Sequence, residues 1–307
     1  MRGRDLLTLQ DYTREEIWQI LKMTHRLKHE SSPEESSRIL AGKNVAMIFQ
    51  KPSTRTRVSF EVAVRQLGGH ALYLDWQQLQ LGRGETVADT ARVLDRYVEG
   101  IVARVFAQSD LGEMARYAKI PIINALSDLY HPCQILCDLY TVWEKWGTLE
   151  DLKLAYVGDG NNVCNSLLIG CSKVGVDISV ACPVGYRPYE RAIEWALENA
   201  RETGSKVEIT TDPRRAVEKA NVVYTDTFIS MGMEAEREER LRVFIPKYQV
   251  SMNLFRHAAE DAVFMHCLPA HREEEVTTDV IDGPRSIVWG QAENRLHTSK
   301  ALLALIL

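Results

Sequence analysis

The segment Lys51–Glu61, KPSTRTRVSFE, gathers two serines, two threonines and two arginines just after an apolar run. Ser53 or Thr54 is a good N-cap for the helix that must follow. In that helix Val58 falls with Val62, and Phe60 with Val64 and Leu67, before Gly68 and Gly69 stop it. An exposed helix start attracts anions, hydroxyls add donors, and an arginine fork suits phosphate oxygens. The plainer alternative is a capped helix with solvated arginines. A Walker loop is absent, since no G-x-x-x-x-G-K-[ST] occurs.

Four further clusters and the motif AENR carry chemistry-bearing residues. SDLYHPCQ sets His131 before a proline and Gln134 at a helix start, where an imidazole and an amide can polarise a carbonyl and hold its amide partner, or merely cap a turn. Cys133 and Cys137 lie one helical turn apart near His131, but no second cysteine or histidine pair stands at zinc spacing. VGDGNNVCNS has Gly158 and Gly160 after a strand but Val163 at the third position of a dinucleotide fingerprint. Asn161 and Asn162 there offer neutral amides for a zwitterionic amino acid, or a simple turn. TDTFISMG supplies Asp226 for a cationic amine, Ser230 for a carboxylate and Gly232 for a turned loop. MHCLPAHR places Cys267 after a strand, where it is a buried inert thiol or a nucleophile with His266 or His271 as base. AENR puts Arg295 at the start of a terminal helix, as a ligand group or a surface ion pair.

The elements that must position these groups are apolar runs, many of them rich in β-branched residues: NVAMIF (Asn44–Phe49), HALYLD, GIVARVF, IPIIN, LKLAYVG, DISVAC, NVVYTD and VFMHCLP. Helical spacing separates most of them. Strands alternating with helices imply an α/β architecture with mostly parallel sheets. Two such series occur, one ending near Asn124 and one starting near Lys153, bridged by the helical Cys133–Trp146. Each polar cluster follows an apolar run, as expected for ligand groups outside the carboxyl ends of parallel strands. The expectation is two domains, each a mostly parallel sheet flanked by helices, with the active site in the cleft between them. Residues 1–146 plus 291–307 form one domain and residues 147–290 the other.

Bulk composition agrees with that size. The 307 residues are 45% hydrophobic and 26% charged, ordinary for a globular protein of about two domains. A net charge of -5 argues against a nucleic-acid or membrane-surface binder, so any cationic site is local. No apolar run approaches the ~18–20 residues needed to cross a bilayer. The N-terminus reads as a helix start, with Asp11, Thr13, Glu15 and Glu16, rather than a signal peptide. Six cysteines without a CxxC pair point to a reducing compartment, and the cytoplasm is the expected location.

Together the motifs resemble the aspartate/ornithine carbamoyltransferase superfamily. STRTRVSFE, QLGRGETVADTARVL, HPCQ, DGNN, DTFISMG, HCLP and AENR occur in the family's order over nearly the whole chain. The STRTR and HPxQ elements fix the superfamily. The SMG loop, HCLP in place of an arginine-bearing HPLPR-type motif, and Gln80 where aspartate enzymes place a lysine resemble the ornithine branch.

The resemblance implies carbamoyl phosphate and L-ornithine as substrates, citrulline and phosphate as products, and no metal or organic cofactor. The first domain would bind carbamoyl phosphate and the second ornithine. It implies that Ser53, Thr54, Arg55 and Thr56 hold the phosphate, with Gln80 reaching it from a neighbouring subunit. It implies that Arg104, His131 and Gln134 bind and polarise the carbamoyl group. Asn162, Asp226, Ser230 and Met231 would bind ornithine, and Cys267, the Leu268 backbone and Arg295 would complete the reacting centre. Arg55, Arg104, His131, Cys267 and Arg295 are the expected catalytic set, and Arg57 is expected to be helix support. A homotrimer or an assembly of trimers is implied as well, with neither nucleic acid nor membrane as partner. Two alternatives stand beside this one: transfer to another amine such as putrescine, acetylated ornithine or aspartate, or a silent phosphate-sensing relative.

Overall fold

In the computed structural model, which describes residues 1–230 and 232–307, the apolar runs become the strands of two all-parallel sheets. β1 (Asn44–Phe49), β2 (His70–Asp75), β3 (Gly100–Arg104) and β4 (Ile122–Leu126) form the first, in the order β2-β1-β3-β4. β5 (Lys153–Val157), β6 (Asp177–Ala181), β7 (Val207–Thr210), β8 (Val222–Thr225) and β9 (Val263–His266) form the second, in the order β7-β6-β5-β8-β9. The central strands are buried along nearly their whole length, as NVAMIF and GIVAR require when helices cover both faces.

The chain divides into two units, Met1–Tyr140 with Glu293–Leu307, and Thr141–Ala292. The division falls inside the helices Pro132–Trp146 and Val288–Ile306. Each sheet has a topological switch point, where successive connections run to opposite sides. It lies between β1 and β3 in the first unit and between β5 and β8 in the second. Ligands of open parallel sheets bind outside the carboxyl ends of strands at such points. Lys51–Thr56 follows β1 and Arg104 ends β3; Gly158–Asn162 follows β5 and Asp226 follows β8.

β7 is the one strand the sequence pattern leaves out. VEIT is a four-residue edge strand with only two apolar residues, Val207 and Ile209, so no apolar run marks it. At the N-terminus Thr13 caps the helix Arg14–His29 in a capping box with Glu16. Among the described residues no helix is long and apolar enough to cross a membrane.

The helix Thr54–Gln66 ends as its glycines require. Gly68 donates to the Arg65 carbonyl at 3.0 Å with φ at 86°, in the left-handed region. A Cβ there would lie 1.8 Å from the Ser37 carbonyl oxygen, backbone that cannot move without the segment around it. Gly68→Ala is therefore expected to destabilise the protein by about 2–4 kcal/mol, combining left-handed strain with overpacking. Urea unfolding measures this, and a loss below about 0.5 kcal/mol would contradict the close approach.

Candidate active site

In the first unit, Ser53 caps the helix that STRTR opens, its hydroxyl accepting from Thr56 N at 3.2 Å. Thr56 is buried, Arg55 half-buried and Thr54 exposed. Arg57 turns away: its guanidinium lies 3.6 Å from the centre of the Tyr73 ring and pairs with Glu61 one turn on. Gln50 ties the two strands of the switch point, donating its backbone N–H to the Arg104 carbonyl at 2.8 Å and accepting from Phe106 N through its side chain. Arg104 is buried at the end of β3, and Lys51 lies over the Phe106 ring. Burial, and then the Arg104 charge, pushes the Lys51 ammonium below its ordinary pKa.

His131, Gln134 and Arg295 meet directly. Arg295 Nη1 donates to Gln134 Oε1 at 2.5 Å and faces His131 Nε2 at 3.4 Å. Gln134 sits one turn before Asp138 and donates its Nε2 to that carboxylate at 2.8 Å, which aims the amide oxygen at Arg295. All three residues are at most 5% exposed. Burial holds the His131 pKa well below its ordinary value, and the charges of Arg295, Arg104 and Arg55 lower it further. His131 is thus a neutral imidazole among three guanidinium groups. Accepting from Arg295 at Nε2 leaves its proton on Nδ1, a donor. Arg295 Nε and Nη2 are buried without an acceptor among the described residues. Such groups cost about 1–3 kcal/mol each until an oxygen-bearing ligand meets them. Gln80 is exposed at the start of a 3-10 turn.

In the second unit, Asp226 is 6% exposed and held on both oxygens. Oδ2 accepts from Asn161 Nδ2 at 2.7 Å, and Oδ1 accepts from Thr227 N at 2.8 Å and from the Cys267 thiol at 3.0 Å. Asn161 also caps the helix Asn162–Val174 through its side-chain oxygen, leaving Asn162 half-buried at the first turn. Gly160 permits this loop: a Cβ on it would lie 2.2 Å from Pro188 N. Ser230 is half-buried, and Met231 lies outside the described residues.

Of the two readings of Cys267, the nucleophile with a histidine base does not fit this geometry. The thiol's partner is the Asp226 carboxylate, while His266 Nδ1 accepts the Leu268 N–H at 2.8 Å and His266 Nε2 faces the buried Glu275 at 3.4 Å. His271 Nδ1 lies against Thr227 Oγ1 and Glu275 instead. Leu268 takes φ of 59°, a left-handed conformation that the His266 contact holds. Cys133 bonds the Asn124 carbonyl, and burial pushes its thiol up to about 12, so it is an inert core group rather than a ligand beside His131.

Among the described residues, two sets of ligand-type atoms lie within 4.8 Å of one another: Asp226, His266 and Cys267, and His271, Glu274 and Glu275. In the first, Asp226 and Cys267 are each other's partners and His266 Nδ1 is taken by the backbone. In the second, the Arg237 guanidinium already binds Glu274. Sequence reasoning missed Asp138, which orients Gln134, and the role of Asn161 as the partner of Asp226. The N-cap pattern of DGNN followed by an apolar helix was a signal for the second; nothing marked the first.

Residues 4–144 match the family described as "Aspartate/ornithine carbamoyltransferase, carbamoyl-P binding domain", and residues 150–306 match "Aspartate/ornithine carbamoyltransferase, Asp/Orn binding domain". The chain is 59% identical to the ornithine carbamoyltransferase of Pyrococcus horikoshii over 307 residues, covering 100% of this chain and 96% of the relative. It is 55% identical to that of Bacillus subtilis over 305 residues, covering 99% and 94%. The solved structure of the Pyrococcus furiosus ornithine carbamoyltransferase superposes with a TM-score of 0.95 at 59% identity, covering 99% of this chain and 97% of that one.

The buried neutral His131 has a pH signature. Its folded-state pKa lies below the unfolded value of about 6.5, so below that pH the unfolded chain takes up a proton that the folded chain refuses. The ring's contribution to stability is whole above about pH 6.5 and declines as pH falls toward the folded value, by at most about 1.4 kcal/mol per pH unit. His131→Asn is expected to flatten the loss of unfolding free energy between pH 7.5 and 5.5, and the wild-type His131 ring protons to show no NMR titration near 6.5. A titration there would contradict the assignment.

Proposed function

We infer that this chain, which belongs to the aspartate/ornithine carbamoyltransferase family, transfers the carbamoyl group of carbamoyl phosphate to the side-chain amine of L-ornithine, giving citrulline and phosphate. The observation that carries this reading is the contact of Arg295 with neutral His131 and Gln134, with two buried guanidinium N–H groups still lacking acceptors. A doubly charged phosphate joined to a carbonyl matches that demand. Carbamoyl phosphate is the ligand of the first unit and ornithine that of the second.

Ser53, Thr54, Arg55 and Thr56 bind the phosphate through hydroxyls, the guanidinium and the helix N-terminus. Arg104, His131, Gln134 and Arg295, with the Leu268 backbone, bind the carbamoyl group. The neutral δ-amine attacks the carbamoyl carbon. Its C–N bond forms as negative charge grows on the carbonyl oxygen, and Arg55, Arg104 and the His131 N–H stabilise that charge. The carbon–oxygen bond to phosphate then breaks, phosphate leaves against the same cations, and the nitrogen loses its proton. Only the free amine is a nucleophile. Asp226, paired with Cys267, binds the acceptor amino acid together with Asn162 and Ser230.

A diamino acid is favoured over aspartate by the same half-site. Asp226 is an acidic centre held by an amide, a backbone N–H and a thiol, suited to a cation and not to a second carboxylate. The Pyrococcus furiosus relative bears the name "anabolic", which supports a place in arginine biosynthesis. A homotrimer, with the exposed Gln80 serving a neighbour's phosphate, and a cytoplasmic location complete the proposal.

Incubation with carbamoyl phosphate and L-ornithine is expected to form citrulline, with aspartate and putrescine far poorer acceptors. Arg55→Ala is expected to lower kcat by about 100- to 1,000-fold with the fold retained. Comparable carbamoylation of putrescine or aspartate without ornithine turnover would overturn the substrate, and no turnover at all would favour a silent phosphate-binding relative.

A further inference from the structure

Arg240 is one of the most buried charges in the second unit, at 4% exposure, and the reaction as written does not use it. It lies on the helix Arg237–Phe244, shortly beyond Gly232. Its three nitrogens reach three different segments. Nε donates to the Phe228 carbonyl at 2.8 Å, Nη2 pairs with Asp159 Oδ2, and Nη1 faces Glu236 Oε2 at 3.4 Å. The guanidinium lies 5.0 Å from the centre of the Tyr186 ring, and the Phe228 and Phe244 rings stack at 4.5 Å beside it.

Those partners are the bases of the two loops that hold the acceptor groups. Asp159 is 7% exposed, and its own carbonyl accepts from the Tyr156 hydroxyl at 2.8 Å and from Asn161 N at 2.7 Å. Asn161 in turn donates to Asp226. Phe228 stands between Asp226 and Ser230 on the loop after β8. One planar fork therefore locks the Asp159–Asn162 turn against the Asp226–Ser230 segment. A lysine could satisfy one of these acceptors but not the set.

We propose that Arg240 is the positioning residue of the amino-acid half-site, fixing the Asn161–Asn162 loop and the Asp226–Ser230 loop in the arrangement the acceptor needs. The proposal rests on the reading of the second unit as the ornithine-binding half. A merely structural arginine would, when lost, weaken the whole protein and both substrates alike. A positioning arginine acts on one substrate only.

Steady-state kinetics on the full-length enzyme separate these. Arg240→Met, which keeps the stem and removes the donors, is expected to raise the ornithine KM at least 10-fold. The carbamoyl phosphate KM, and the affinity for phosphonoacetamide measured by calorimetry, should stay within 2-fold. Arg240→Lys should fall between Arg240→Met and the unmutated enzyme. Asp159→Asn should raise the ornithine KM too, and adding it to Arg240→Met should cost little more, because both break one contact. If Arg240→Met does not fold, Arg240→Lys and Asp159→Asn carry the same comparison. An unchanged ornithine KM, or equal rises for both substrates, overturns the proposal. Absence of citrulline from the unmutated enzyme overturns the reaction and this proposal together, whereas normal wild-type turnover with unaffected variants overturns the proposal alone.

Discussion

A guanidinium taken out of water must find oxygen partners, and Arg295 finds only some of its share. Gln134 meets Nη1, His131 faces the same nitrogen, and Nε and Nη2 have no acceptor among the described residues. The surroundings deepen the deficit, because Arg104 and Arg55 are close enough to depress the His131 pKa. A protein of net charge -5 spends its positive charge here in concentrated, half-dry form. Such clustering is costly without a ligand and favourable with a dianion, which is the arrangement that binding and stabilising a phosphorylated acyl group require. The neutral state of His131 belongs to the same constraint: burial beside three guanidinium groups disfavours one more cation, and a neutral ring still carries an N–H donor. Asp138 acts on the site through Gln134, by taking the amide's N–H and leaving its oxygen for Arg295.

The second unit solves the opposite electrostatic problem. Its switch point, between β5 and β8, presents a carboxylate whose oxygens are occupied by an amide, a backbone N–H and a thiol, all neutral. Asp226 is therefore fixed in position by neutral partners on both of its oxygens. Gly160 and the Arg240–Asp159 pair are the backbone and side-chain devices that let the two loops sit this closely. Two parallel sheets built by one rule thus carry half-sites of opposite sign, set by the residues at the strand ends.

Sequence alone exposed the parts of this that are local. Alternating strands and helices, the cap at Ser53, the stop at Gly68 and the polar clusters at strand ends are each written within a few residues, so periodicity and turn chemistry reveal them. The edge strand β7 was hidden because VEIT carries only two apolar residues and so forms no apolar run. The partner of Cys267 was not legible because it is a carboxylate 41 residues away in sequence. Arg240 and Asp159 lie 81 residues apart, and in sequence each is an ordinary charge. Contacts between distant loops are set by strand order, and strand order is what a single sequence conveals least well through local pattern.

On the proposed function, the buried Arg295 of the first unit is completed by ligand oxygens. Calorimetric titration of phosphonoacetamide, a stable mimic with a methylene in place of the bridging oxygen, into the wild type and Arg295→Met tests this directly. The account predicts at least about a 10-fold weaker affinity in the variant, about 1.4 kcal/mol or more, with the ligand-free protein still folded. Equal affinity in the two proteins would contradict it.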